Sequence, residues 1–159
     1  MGKVLSSFLN GYAGAIARSL DDVVVSLANR SGDALAFGVP VAFNSDHSGI
    51  VPFDPTSHTG ASFIGVTVRN PSKTPDTYGG NTGSYADSDI VDVLVRGKIV
   101  VKMAGSNPVP GSSVNILKST GGFTVASGDN VVALNNVHIS TAPDSAGMAE
   151  IVLNTRNLI

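Results

Sequence analysis

The chain has no cysteine and no tryptophan in its 159 residues. Without cysteine there are no disulfides, no thiolate metal sites and no cysteine nucleophiles. Charge is also scarce. Lys, Arg, Asp and Glu make up 14% of the sequence, against about 25% in an ordinary soluble domain. The formal net charge is −2 and the few Lys and Arg are scattered, so no basic field is available to hold nucleic acid. No stretch of 18 consecutive apolar residues occurs, so no helix is expected to span a membrane.

What remains is rich in glycine, valine, serine, asparagine and threonine, with 18 glycines. That mixture favours strands and turns over helices. The length suggests one domain, large enough to bury a core without staples. Low charge with a mean hydropathy of +0.22 also suggests that partner subunits cover part of the surface.

Residues 1–20 show neither strand alternation nor a helical stripe, and their small residues suit an extended N-terminal arm. Lys3 begins the segment as a signal peptide would, but Ser6, Ser7, Asn10 and Gly11 interrupt the apolar run. Gly2 and Ser6 fit the short myristoylation pattern.

From residue 21 onward the pattern is that of a single β domain. "DDVVVSLA" alternates Val23, Val25 and Leu27 against Val24 and Ser26. "FGVPVAF" alternates Val39, Val41 and Phe43, with Pro40 marking a sheet edge or strand start. "SFIGVTV" follows. "IVDVLV" and "KIVVKM" are separated by Arg96 and Gly97, which reads as a tight hairpin. "VVAL" and "VHI" are separated by a second short break, "NN". Nine or ten short strands with turns between them predict an all-β fold, a small β-barrel or β-sandwich. The expected core is Val23, Val25, Val41, Phe43, Ile64, Val66, Val93, Val95, Val100, Ile116, Ile151 and Leu153.

Catalytic signatures are absent. There is no Gly-x-Ser-x-Gly elbow, His-Glu-x-x-His, P-loop or dinucleotide fingerprint. His47 and His58 read as solvated loop histidines, and His138 falls in a strand. Asp87, Asp89 and Asp92 cluster, but they lack the Gly and Glu of a calcium loop, and Asp is an ordinary turn former. No metal and no cofactor is expected. Asn29 begins a formal glycosylation sequon, "NRS".

The most unusual stretch is "RNPSKTPDTYGGNTGSYADSD", residues 69–89, lying between two strand-like segments. Loops longer than about 12–15 residues are uncommon in compact domains and are usually functional or disordered. Pro71 and Pro75 stiffen this one, glycines let it bend, and Tyr78 and Tyr85 offer contact area at low entropic cost. It reads as a contact arm.

"FGVPVAF", "FIGVTVRNPSKTPDTYGGNTGSYADSDIVDVLVRGKIVV" and "APDSAGMAEIVLNTRNLI" together resemble the structural cement, or head decoration, proteins of tailed bacteriophages and prophages. The resemblance runs from about Gly11 to Ile159. It implies a non-enzymatic protein assembled in the bacterial cytoplasm, bound to the outer capsid surface of the virion and locking neighbouring major capsid subunits. A signal peptide or myristoyl group would be out of place there. The expected partners are the major capsid protein and further copies of the chain, as a homotrimer or alternatively a dimer, with neither nucleic acid nor membrane. Expected interface residues are Tyr12, Arg18, Arg69, Pro71, Lys73, Pro75, Tyr78, Tyr85 and Arg156. The competing reading is a virion-surface adhesin for a host glycan, although such sites usually present a Trp platform.

Overall fold

The computed structural model describes residues 10–17, 21–73, 83–105 and 108–154. The strands are β1 (Val23–Ala28), β2 (Leu35–Ala36), β3 (Pro40–Phe43), β4 (Ile50–Pro52), β5 (Gly65–Thr67), β6 (Ser84–Tyr85), β7 (Ile90–Ala104), β8 (Ser113–Leu117), β9 (Phe123–Thr124), β10 (Val131–Ile139) and β11 (Met148–Leu153). The other elements among these residues are two short 3-10 turns, so the fold is all-β as expected.

β7 organises the molecule. Its second half pairs with β11 on one side and with β9 on the other. β9 pairs with β8, β8 with β10, and β10 with β11. The path returns to β7, so these five strands close into a small barrel, which removes the edges of an open sheet. The first half of β7 lies between β1 and β5, and the sheet continues through β3 to β4. That sheet curls until Asn29, at the end of β1, bridges Ile50 in parallel. The Arg30 N–H donates to the Ile50 carbonyl at 2.9 Å.

The hairpin expected at Arg96–Gly97 does not form. β7 runs through both residues as one strand of 15. Gly97 has φ +119, a conformation open to glycine at little cost. The partner register skips a residue here, with Val23 opposite Arg96 but Val24 opposite Leu94. This is a β-bulge, which bends and twists the strand, and here it carries β7 from one curled sheet into the barrel. The turn expected at Asn135–Asn136 is also absent, since β10 spans both residues. Its pairing with β8 shifts between Ala133 and His138. The buried Asn115 side chain fills that gap, accepting the Leu134 N–H at 3.2 Å and donating to the Ala126 carbonyl at 2.8 Å.

Two cores result. One fills the barrel with Ile99, Val101, Met103, Ile116, Phe123, Leu134, Ile151 and Leu153. The other lies inside the curled sheet, with Leu35, Val41, Ile50, Ile64, Tyr85, Val91, Val93 and Val95. Among the expected core residues, Val23, Val25 and Phe43 are partly buried against the second cluster, and the others are buried.

Candidate functional site

The two segments read as extensions, the N-terminal arm and the long loop, meet on one side of the body. Residues 14–17 run antiparallel beside β7, with an isolated bridge between Ile16 and Ile99. The Ala17 N–H donates to the Lys98 carbonyl and the Val100 N–H to the Ala15 carbonyl, each at 2.9 Å, and the Gly14 N–H donates to the Val100 carbonyl at 2.8 Å. Gly11 packs over the Val100 side chain. Asn10 then fastens the root of the arm. Its N–H donates to Asp144 Oδ2 at 2.8 Å, and its side-chain amide donates to the carbonyls of Ala142 and Met148 at 2.9 and 2.6 Å.

Gly14 is required at the crossing with the loop. Its φ is +77, and a Cβ there would lie 2.8–2.9 Å from the backbone of Arg69, Gly38 and Thr67. The Gly14 carbonyl accepts the Arg69 N–H at 2.7 Å. The Arg69 guanidinium lies 4.5 Å from the centre of the half-exposed Tyr12 ring, within reach of a cation–π attraction.

The loop is closed at its base. Pro71–Lys73 forms a 3-10 turn, with Asn70 Oδ1 accepting the Ser72 N–H and hydroxyl at 3.0 and 2.8 Å. Lys73 Nζ meets Asp89 Oδ2 at 2.8 Å. The same oxygen accepts the Ala86 N–H at 2.9 Å. The Lys73 hydrogen bond, then that N–H, hold the Asp89 carboxyl below its usual pKa. The return limb is sewn to the body by Asn29, whose amide donates to the carbonyls of Asp33 and Ala86 at 2.8 and 3.0 Å. Its Oδ1 accepts from the Ser31 hydroxyl at 2.7 Å. Asn29 is fully buried, so the sequon side chain is committed to the fold.

Of the expected interface residues, Tyr12, Arg69, Pro71 and Lys73 lie on this side of the body. Tyr85 does not belong with them. It is 0% exposed, its ring meets Phe37 edge-on at 5.3 Å, and its hydroxyl donates to the Val68 carbonyl at 2.6 Å. Burial pushes that hydroxyl's pKa up. The reason is local: β6 pairs with β2, placing Tyr85 opposite Leu35 in the core and leaving Ser84 outside. A two-residue strand carries too little pattern to reveal this in sequence. Arg18, Pro75, Tyr78 and Arg156 lie outside the described residues.

The clustered aspartates separate into different tasks. Asp87 accepts the Gly32 N–H, Asp89 holds Lys73, and Asp92 accepts the Ser26 hydroxyl. No metal-ligating cluster of three or more such groups occurs among the described residues. His47 and His58 line one cleft of about 750 Å³. His58 Nδ1 accepts the Asp54 N–H at 2.9 Å, and the Ser57 hydroxyl bonds Asp54 at 2.8 Å.

The geometry describes a two-curl β body on which the described part of the arm, residues 10–17, and the base of the loop, residues 69–73, are joined to each other and to β7. This fold is shared with a chain of the solved structure titled "The capsid of Myoviridae Phage XM1". The two are 17% identical, with a TM-score of 0.75 and 96% of each chain covered. No curated protein matches the chain. Residues 4–154 match the family described as structural cement protein (E217 gp24/Pam3 gp6), and the chain belongs to that family. Nothing in these likenesses supports the glycan-adhesin reading.

Proposed function

We propose that the protein binds the outer surface of a bacteriophage head after assembly in the host cytoplasm, ties neighbouring major capsid subunits together, and does so without catalysis. We assign it a trimeric arrangement on the capsid, since closed rings satisfy every interface and low surface charge favours covered faces. The observation that carries the reading is the junction of arm and loop. Gly14, Tyr12 and Arg69 join the two segments, so a force on either passes directly to the barrel through β7. Residues 1–20 act as the arm of a body that spans 21–159. Tyr12, Arg69, Pro71 and Lys73 supply the contacts, with Arg18, Pro75, Tyr78 and Arg156 added from beyond the described residues.

The test replaces residues 74–82 with a short glycine linker. The replacement keeps Lys73, Asp89 and the buried Tyr85, so the body should unfold at an unchanged temperature. Binding to heads should weaken, and virions should release DNA at a lower temperature. Unchanged affinity for heads would make the loop a mere surface insertion.

A further inference from the structure

Asn10 is the one asparagine in the chain that is followed by glycine. That pair carries its own chemistry. Glycine has no Cβ to keep its backbone nitrogen from closely approaching another group, so the nitrogen can attack the amide carbon of the preceding side chain. The Gly11 nitrogen bonds to Asn10 Cγ, the Cγ–Nδ2 bond breaks, and ammonia leaves with the proton that the Gly11 nitrogen gives up. Water then opens the cyclic imide at one of its two carbonyls. One opening leaves aspartate. The other leaves its isomer, in which the main chain runs through the former side-chain carbon. Water is the only co-reactant.

The docked arm opposes this reaction. The Asn10 amide donates to the carbonyls of Ala142 and Met148 at 2.9 and 2.6 Å, which fixes the side chain. The nitrogen that must leave as ammonia is thus held between acceptors, which cannot supply it with a proton. Asp144 Oδ2 accepts the Asn10 N–H at 2.8 Å, and a carboxylate that close repels the oxyanion that forms when Cγ is attacked. The product, in turn, cannot re-form the clasp. A carboxylate at position 10 has no hydrogen to give, so the Ala142 and Met148 carbonyls lose their donor and face a negative charge beside Asp144. The isomer also lengthens the main chain by one atom, which displaces Gly11 from Val100 and residues 14–17 from their partners on β7. We propose that Asn10 is a self-modification site gated by arm docking: while the clasp holds, Asn10 is preserved, and once the arm lifts, reaction with Gly11 makes the release permanent. The clasp is then a one-way device, kept by chains whose arm stays seated and lost by chains whose arm is drawn away. It depends on the docking of residues 10–17 and not on which partner the arm meets.

The experiment follows Asn10 by peptide mass spectrometry in the full chain, kept in mildly alkaline buffer. It compares folded wild type, Arg69→Ala, Gly14→Ala and wild type unfolded in urea. Reaction needs the opened arm, so its rate follows the opened fraction, and folded wild type should react about tenfold or more slowly than the unfolded chain. Arg69→Ala, which removes the contact with Tyr12, should speed the reaction about two- to fivefold. Gly14→Ala should bring it close to the unfolded rate. Separately, Asn10→Asp should speed hydrogen exchange of the Val100 amide, which is bonded to Ala15, while exchange inside the barrel stays as in wild type. Equal rates in folded and unfolded wild type overturn the gating. So does an Asn10 that stays intact in Gly14→Ala while the Val100 amide exchanges freely. Should Gly14→Ala not fold, Arg69→Ala decides: faster exchange at Ala17 with no faster loss of Asn10 overturns the gating as well. Wild-type protection of Val100 in Asn10→Asp overturns the permanent release.

Discussion

Arg69 lies over the ring of Tyr12 with 4.5 Å between guanidinium carbon and ring centre, and its N–H holds the Gly14 carbonyl at 2.7 Å. One residue at the base of the loop thus clasps the arm twice, by side chain and by main chain. Removing the side chain leaves the main-chain clasp in place. Arg69→Ala or Tyr12→Ala should cost about 0.5–1 kcal/mol of stability, the range for a partly exposed cation–π pair. Denaturant titration checks this, and amide exchange at Ala17 should rise more than exchange in the barrel.

Gly14→Ala should do more. A Cβ would press on three backbone atoms at 2.8–2.9 Å in a left-handed conformation. The combined strain and clash are expected to exceed about 1–3 kcal/mol, the usual cost of an unfavourable backbone conformation. The arm should detach while the barrel stays folded. Exchange of the Val100 amide, which is bonded to Ala15, reports detachment directly.

Tyr85 separates a core role from a contact role. Tyr85→Phe keeps the ring and leaves the Val68 carbonyl without its donor, costing about 1–3 kcal/mol. Tyr85→Ala should cost about 3–5 kcal/mol, as for other large buried aromatics. Both are read by chemical denaturation. A Tyr85→Ala protein of wild-type stability with reduced head binding would return the residue to the surface.

The arm's root is acid-sensitive. Burial pushes the Asp144 carboxyl up, but the N–H groups of Asn10, Met148 and Ala146 outweigh it, and the net pKa lies below the usual 3.8. A depressed carboxylate contributes stability above its unfolded pKa and loses it as pH falls through the folded value. Asn10 should therefore be released below about pH 4, seen as faster Asn10 and Met148 amide exchange. Asp144→Asn should show the loosened arm already at neutral pH.

How much of this was legible in the sequence depends on the length of each pattern. The all-β class and most of the core followed from alternation in β1, β3, β5 and β11. The long loop was legible as an outlier in length, but not the burial of Tyr85 in a two-residue strand. The false hairpin at Arg96–Gly97 had a discriminating signal. A two-residue turn pairs residue 95 with 98 on one face, which would set Lys98 and Lys102 beside Val93 on the core side. An unbroken strand instead continues Val91, Val93 and Val95 into Ile99, Val101 and Met103, all apolar. Val100, expected in the core by the hairpin register, is buried on the opposite face beneath Gly11. The docking of residues 10–17 had no local signal, because Asn10 and Asp144 are partners across 134 positions.

The most direct test of the cement role is a cryo-EM reconstruction of virions of the phage or prophage that encodes the chain. The account predicts the two-curl body on the outer head surface at three-fold or quasi-three-fold positions, each copy touching at least two major capsid subunits, with the arm and the 69–89 loop facing them. Copies that stand isolated on single subunits, or a head surface that lacks this body, would contradict it.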